Sequence, residues 1–227
     1  TSGPAISFYS QVSGELTTAE TASSFTDISN IPPTLQNSQT WTLSPDEALY
    51  GGGQYVNGEL NYASAPILMT QFNTEAVVPF FVSSRGYGIL WDHYGITKLN
   101  PLDNEAEIVL GDENTALWTP PASGDYWILV HLCQDETQFG AGYGKTFGLY
   151  FDEKLVCKHK LTNMPCSVSC RIRGIVKDQY DYQIKLDTNV DKPRLFYNPI
   201  LNESTTTLST KHSNVIDYYF VISDRDN

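Results

Sequence analysis

Aromatic and amide side chains in turn-rich segments are the residues of this sequence best suited to ligand chemistry. A Tyr or Trp ring can stack on the C–H face of a sugar, while Asp, Asn and Gln hydrogen-bond its hydroxyls. The candidates at turn or loop positions are Tyr55, Asn57, Asn61, Tyr62, Trp118, Asp125, Tyr126 and Tyr143. These residue types predict a site for neutral oligosaccharides. Each also has a structural explanation. Asn57-Gly58 and Gly124-Asp125 are typical of turns, and aromatic rings on strands commonly pack in a hydrophobic core.

The charge of the chain limits its partners. The sequence has 14 Lys and Arg against 26 Asp and Glu, a net charge of −12, and no basic cluster. Nucleic acid and anionic membranes are therefore disfavoured as partners. No segment approaches the roughly 20 apolar residues needed to span a bilayer. The chain begins Thr-Ser-Gly-Pro without a leader pattern, so we expect a soluble, already trimmed protein.

Cysteines and one sequon indicate an extracellular location. The four cysteines are Cys133, Cys157, Cys166 and Cys170. Their spacing does not fit the paired ligands of a zinc site, and no cofactor is predicted. In a secreted protein we expect Cys157 to bond Cys166 or Cys170 across the turn-forming segment 163–165, with Cys133 able to take the remaining partner. Asn202, in Asn-Glu-Ser, is a candidate glycosylation site.

The elements that would position these residues are strands. No sustained apolar spacing of 3.6 residues occurs, whereas short apolar or alternating runs are separated by Gly, Pro, Asp and Asn. The predicted strands are residues 5–9, 39–43, 67–72, 77–83, 88–92, 117–119, 126–133, 147–151, 155–159, 167–173, 180–186, 195–197 and 216–222. The acidic, turn-rich segment 99–114 separates two series of strands and predicts a domain boundary.

Four motifs in the first series resemble a known family. They are residues 49–54 (LYGGGQ), 60–62 (LNY), 71–75 (QFNTE) and 78–92 (VPFFVSSRGYGILWD). Together they resemble the N-terminal β-sandwich of glycoside hydrolase family 31, the α-xylosidases and α-glucosidases. In that family this galactose-mutarotase-like sandwich packs against a catalytic (β/α)₈ barrel, and residues 216–220 (IDYYF) look like the return into the sandwich. The sequence departs from the family at Gly52, where a larger residue is more usual.

The second series resembles an insert carried by some α-xylosidases. Residues 118–127 (WTPPASGDYW), 149–152 (LYFD) and 173–175 (RGI) are similar to a protective-antigen-type β-sandwich. The resemblance therefore implies an all-β chain: a galactose-mutarotase-like β-sandwich with a second, inserted antiparallel β-sandwich. We expect residues 1–113 and 213–227 to form the first domain and residues 114–212 the insert. The last strand, 216–222, should join the sheet that contains residues 77–83 or its neighbours.

The resemblance leaves several functions open. In the family the catalytic carboxylates lie on the barrel, so we expect a non-catalytic, lectin-like protein that binds neutral glycans; the alternative is a fragment of a family 31 glycosidase. A mutarotase would need paired histidines, and His93, His131, His159 and His212 are spread over both domains. Protective-antigen-type lectins often bind glycan through calcium on adjacent aspartates. This sequence has no Asp-Asp pair, although Asp135 and Glu136 could supply oxygen ligands. Edge strands could pair to form a homodimer.

Overall fold

The computed structural model describes the chain as strands joined by turns. The residues it describes are 6–9, 16–30, 33–55, 58–71, 75–107, 115–131, 146–151, 154–160, 167–175, 182–186, 194–200, 205–213 and 215–222. Within these ranges there are 18 strands and no helix. Accordingly, no helix in the described part of the chain is long and apolar enough to cross a membrane. The predicted all-β class is confirmed.

The chain divides into two compact units. The first comprises Thr1–Gln71, Glu75–Pro101 and Asn202–Asn227, and the second comprises Phe72–Thr74 and Leu102–Leu201. The strands of the first unit are β1 Ser7–Tyr9, β2 Leu16–Asn30, β3 Pro33–Thr42, β4 Leu49–Gln54, β5 Ile67–Met69, β6 Ala76–Ser83, β7 Tyr87–Trp91, β8 Thr97–Leu99, β17 Thr205–Lys211 and β18 Tyr218–Ile222.

Two antiparallel sheets build the first unit. One has six strands in the order β1-β2-β3-β17-β8-β5, and the other has four in the order β18-β7-β6-β4. Hairpins account for neighbours such as β2 and β3 or β6 and β7. The late strands β17 and β18 instead return to the middle of the first sheet and to an edge of the second. This return brings residues more than 100 positions apart in sequence into register.

Aromatic residues fill the space between these two sheets. Trp41 of β3 lies edge-on to Trp91 of β7 at 5.9 Å and to Tyr218 of β18 at 5.2 Å, measured between ring centroids. The Trp91 indole Nε1 donates to Thr210 Oγ1 of β17 at 2.7 Å, which satisfies its polar atom in the core. At one end Phe8 of β1 stacks on Phe220 of β18 at 3.9 Å. The two sheets are thus the layers of a β-sandwich.

The second unit also consists of two four-stranded antiparallel sheets. Its strands are β9 Asn104–Glu107, β10 Thr115–Trp118, β11 Gly124–His131, β12 Thr146–Phe151, β13 Lys154–Lys160, β14 Ser167–Ile175, β15 Tyr182–Leu186 and β16 Arg194–Ile200. The sheet orders are β10-β15-β12-β13 and β14-β11-β16-β9. Trp118 of the first sheet packs edge-on against Tyr126 (5.4 Å) and Tyr197 (5.2 Å) of the second, so this unit too has a sandwich core.

Strand pairing corrects the predicted domain limits. Strand β9 (Asn104–Glu107), predicted within the first domain (1–113), pairs with β16 of the second unit. Strand β17 (Thr205–Lys211), predicted within the insert (114–212), pairs with β3 and β8 of the first unit. The acidic segment 99–114 contains the paired strand β9 as well as turns. Its composition alone does not show at which residue the chain leaves the sheets of the first unit for those of the second. By contrast, the prediction for the last strand is confirmed: β18 pairs with β7, in the sheet of β6.

Candidate functional site

The three consecutive glycines of β4 adapt this strand to its neighbour β6. Gly51, Gly52 and Gly53 all have positive φ, and the register between β4 and β6 shifts between Gly51 and Gly53. A Cβ atom on Gly52 would lie 2.6 Å from Cε1 of Phe81, so the Phe81 ring occupies the space that a side chain would need. The larger residue usual in the family is therefore incompatible with this arrangement of β4 and Phe81.

Three of the predicted sugar-binding residues are described in the segment that follows β4, and the structure uses all three internally. Tyr55 Oη donates to Gly52 O at 2.8 Å, and Tyr62 Oη donates to Glu59 O at 3.0 Å. Burial raises the pKa of Tyr55, and the charge of Glu75 adds to this effect. Asn61 Oδ1 accepts hydrogen bonds at 3.0 Å from the backbone N–H groups of Leu49 and Ala63. These bonds shape the loop.

Asn100, which sequence reasoning treated only as part of a turn, fixes the far side of this loop. Its Nδ2 donates to Tyr62 O at 2.9 Å and to Ala65 O at 3.1 Å. Its Oδ1 accepts from Thr206 Oγ1 at 3.0 Å and from Thr207 N–H at 3.1 Å. The residue has φ of 46°, a conformation that Asn tolerates better than most residues. An Asn before Pro at the end of a strand was the available signal, but it does not reveal the partners.

The second unit places its predicted binding residues in two different environments. Trp118 is 3% exposed and Tyr126 is fully buried, and the Tyr126 hydroxyl donates to Ala122 O at 2.7 Å. Burial raises the pKa of Tyr126. These two rings belong to the core, so the prediction that they lie at a ligand surface is wrong. Tyr62, 5% exposed in the first unit, is wrong as a stacking surface for the same reason.

Asp125 lies at the surface in a salt bridge. Its Oδ1 accepts from Gly174 N–H at 3.0 Å, and its Oδ2 accepts from Arg171 Nη2 at 3.1 Å. The Gly174 hydrogen bond, followed by that from Arg171, holds the pKa of Asp125 below its ordinary value. The carboxylate therefore anchors the start of β11 to β14, and both of its oxygens are engaged.

Several predicted residues lie outside the described part of the chain. These are Asn57, Tyr143, Asn202, Cys133, Cys166, Asp135 and Glu136. Cys170 is buried in β14, and Cys157 belongs to β13. The disulfide and glycosylation sites stay predictions. Among the described residues, no group of three or more His, Cys, Asp or Glu side chains is placed to hold a metal ion.

Two buried carboxylates that sequence reasoning did not single out satisfy hydrogen bonds within the first unit. Glu47 accepts from Ser44 N–H at 2.8 Å and from the Ser83 hydroxyl. Glu20 accepts from Ile6 N–H at 3.0 Å and from the Tyr218 hydroxyl. Both carboxylates are therefore bound to donors of the same unit, which fits a structural role.

An exposed apolar surface covers the outer side of the four-stranded sheet. Two rows of directly opposed residues cross this sheet on its outer side. One of them passes through Gly88 of β7, the strand that lies between β6 and β18. We call this surface the apolar face and define it by Tyr50, Phe80, Val82, Leu90, Tyr219 and Val221. Four of these side chains, Tyr50, Val82, Tyr219 and Val221, are 39–54% exposed. The seven described positions of the two rows include no charged residue.

The outer side of the six-stranded sheet has the opposite character. Hydroxyl pairs bridge its strands there, with Ser24 Oγ and Ser38 Oγ 2.7 Å apart and Thr40 Oγ1 and Thr207 Oγ1 2.7 Å apart. The contrast singles out the apolar face as a surface suited to a protein partner. The sequence signal was residues 77–82, which are apolar on both faces of β6 instead of alternating with polar residues.

Two curated proteins match this chain in sequence. One is an α-xylosidase of Saccharolobus solfataricus, 35% identical over 79 residues that make up 31% of this chain and 11% of that protein. The other is named an uncharacterized family 31 glucosidase of Pseudescherichia vulneris, 38% identical over 84 residues, 36% of this chain and 14% of that protein. No protein-family model matches the chain. The matches thus span about a tenth to a seventh of the length of these relatives.

A solved structure matches the fold of nearly the whole chain. It is a GH31 α-xylosidase from Xanthomonas citri, with a TM-score of 0.68 and 20% sequence identity. The match covers 93% of this chain and 29% of the solved chain. At this identity the likeness establishes the fold.

These matches correct one prediction from the sequence and confirm another. The expectation that this protein is not an enzyme is wrong, because the two relatives and the solved neighbour are named as glycosidases. The predicted resemblance is confirmed. In sequence over about a third of its length, and in fold over nearly all of it, this chain is similar to the N-terminal all-β part of the glycoside hydrolase family 31 α-xylosidases.

Proposed function

We propose that this chain is the N-terminal β-sandwich part of an α-glycosidase of glycoside hydrolase family 31, with α-xylosides or α-glucosides as substrates. The observation that carries the proposal is the 35% and 38% identity to an α-xylosidase and a family 31 glucosidase, both far longer than the matched segment. Hydrolysis by such an enzyme needs a pair of carboxyl groups flanking the glycosidic bond. We assign that pair to the remainder of the polypeptide.

The apolar face supports this reading. A charge-free surface on a chain of net charge −12 is better suited to a permanent interface than to water. The Phe80 ring covers Gly88 at the centre of this surface. A Cβ atom on Gly88 would lie 2.7 Å from Cζ of that ring. We assign this face to packing against the remainder of the same polypeptide. The role of the chain is then to form a rigid scaffold beside the catalytic part.

The lectin-like function expected from the sequence is less well supported. Of the aromatic candidates, Tyr62, Trp118 and Tyr126 are buried, and the Tyr55 hydroxyl donates to the backbone of β4 at Gly52. A stacking platform for sugar requires an exposed ring face. An extracellular location and a homodimer stay predictions.

The native protein that contains this chain provides the direct test. Antibodies against the 227-residue chain would isolate it from its source, and its intact mass and its hydrolysis of p-nitrophenyl α-xyloside and α-glucoside would be measured. We expect a mass several times the 25.3 kDa of this chain and turnover of at least one substrate. A native protein of 25.3 kDa that binds neutral oligosaccharides without hydrolysing these substrates would overturn the proposal.

Charge substitutions in the apolar face should reduce the binding of a hydrophobic dye to the 227-residue chain. Val82→Lys and Tyr219→Lys each place an ammonium group in the surface, and we expect dye fluorescence to fall about twofold with little change in unfolding temperature. Ser24→Lys, on the polar outer side of the other sheet, is the matched control and should leave the fluorescence unchanged. Equal fluorescence for all three variants would show that the dye does not bind the apolar face.

A further inference from the structure

His93 lies where the chain passes from one sheet of the first unit to the other. Residues 213–217, of which 214 is outside the described residues, lead from β17 into β18. The Asp217 N–H donates to His93 Nε2 at 3.0 Å, and His93 Nδ1 lies 3.2 Å from Ser213 Oγ. The imidazole also packs against the Trp91 ring at 4.5 Å. One side chain thus holds both ends of this lead-in to β18.

The hydrogen bonds define the protonation state of this histidine. Because Nε2 accepts from a backbone N–H, it carries no proton, and the neutral ring has its proton on Nδ1. Nδ1–H then donates to Ser213 Oγ, whose own hydroxyl donates to Val215 O at 2.9 Å. If Nε2 were protonated, its N–H would face the N–H of Asp217. Two donors cannot hydrogen-bond to each other, so the bond between Asp217 and His93 would be lost.

We propose that His93 is a pH-sensitive latch that fixes the lead-in to β18 when its imidazole is neutral and releases it when the imidazole is protonated. The neighbouring backbone bonds of this segment do not titrate: Asp92 N–H donates to Asp217 O at 3.1 Å, and Ser213 N–H donates to Leu35 O at 3.1 Å. The histidine is therefore the element of this network through which pH acts.

Burial and the nearby carboxylates shift the pKa of His93 in opposite directions. Burial lowers the pKa of His93 below its ordinary value of 6.5, whereas the carboxylates of Asp217 and Asp92, which face it, raise it to a smaller extent. The side chains that hydrogen-bond to the ring or pack against it, Ser213 and Trp91, are neutral. Since the pKa in the folded state is below that in the opened state, the latch is fully closed above about pH 6.5 and weakens as the pH falls towards the lower value.

The consequence lies in β18. This strand forms an edge of the four-stranded sheet and contributes Tyr219 and Val221 to the apolar face. Its first residue follows Asp217 directly, so loss of the bond to His93 removes one of the constraints on the start of β18, while the backbone bond from Asp92 remains. Acid would thus loosen one side of this surface.

Hydrogen exchange of the Asp217 amide, measured by NMR on the 227-residue chain between pH 7.5 and 5.0, tests the latch. After correction for intrinsic exchange, we expect protection to fall by up to about tenfold per pH unit below pH 6.5. His93→Gln, whose Oε1 can accept the same N–H without titrating, should make protection independent of pH. His212→Asn is the matched control: this exposed histidine has φ of 61°, which Asn tolerates, and the variant should titrate like wild type.

Two results would overturn the proposal. One is unchanged wild-type protection across this pH range, and the other is the same loss of protection in His93→Gln. If that variant does not fold, the ¹⁵N chemical shifts of the wild-type imidazole decide instead. Nε2 must be unprotonated at pH 7.5, and its protonation must coincide with the change at the Asp217 amide; a protonated Nε2 at pH 7.5 contradicts the latch.

Discussion

Replacing Trp41 by alanine is expected to lower the free energy of unfolding of the first unit by about 3–5 kcal/mol. The side chain is completely buried between the two sheets, in edge-on contact with Trp91 and Tyr218. Its removal leaves a cavity that these flat rings cannot fill by rotating, since each is also held by a hydrogen bond from its polar atom. Urea denaturation, followed by hydrogen exchange of peptides from β3 and β7, measures the loss.

Tyr94→Ala is the control for this substitution. The Tyr94 side chain is fully exposed, so its truncation should change the free energy of unfolding by no more than about 0.5 kcal/mol. Trp41→Phe should fall between the two variants because it keeps an aromatic ring in the same place. A Trp41→Ala protein as stable as wild type would mean that the core between the sheets is not centred on this residue.

The elements predicted best from the sequence are those rich in large apolar residues. Strands β6, β7 and β18 combine β-branched and aromatic residues between turn signals, and this pattern is typical of strands whatever their neighbours are. The family resemblance at both ends of the chain predicted that β18 joins the sheet of β6, and β18 does so by pairing with β7. No local pattern could have supplied it, because the two strands are more than 120 residues apart.

Two of the strands missed from the sequence are rich in serine and threonine. Strand β2 (LTTAETASSFTDISN) and strand β17 (TTTLSTK) contain few large apolar residues, and their composition is similar to that of loops. In the structure their hydroxyls are used across the sheet: Thr210 donates to or accepts from Thr97 at 2.7 Å, and Ser209 donates to Asn37 O at 3.0 Å. Because these partners come from distant strands, the burial of the polar residues could not be derived from the local sequence. Strand β17 was therefore not recognised as part of the first unit, and the end of the insert was placed too late in the sequence.

The candidate site failed for a related physical reason. Residues flanking Gly and Pro were assigned to loops and were therefore expected to be exposed. Trp118 and Tyr126 flank such a turn, yet Trp118 ends β10 and Tyr126 lies within β11, and each ring packs against the facing sheet. Exposure depends on the facing sheet, which turn chemistry does not specify. The apolar face was missed in the same way, since a strand that is apolar on both sides is typical of one that is buried on both sides.

Because β4 lies close to β6, we expect Gly53 to tolerate substitution least among the three consecutive glycines of β4. Its φ is 123°, a conformation that other residues rarely adopt, and a Cβ there would overlap the carbonyl oxygen of Ala76 and lie 2.9 Å from the Val78 nitrogen. Both obstacles are backbone atoms of the paired strand, so a side-chain rotation cannot remove them. The strand pair would have to separate, with loss of ladder hydrogen bonds next to the bulge.

We therefore expect Gly53→Ala to lower the free energy of unfolding by about 3–5 kcal/mol, more than backbone strain alone would cost. Gly58→Ala separates the two contributions, because Gly58 also has positive φ, 75°, but has no atom within 4 Å of the added Cβ. In that control the free energy of unfolding should fall only by the cost of the backbone strain, about 1–2 kcal/mol. Urea denaturation of both variants gives the difference. Equal losses would mean that β6 moves aside readily, and that the three glycines serve only the conformation of β4 and not its contact with β6.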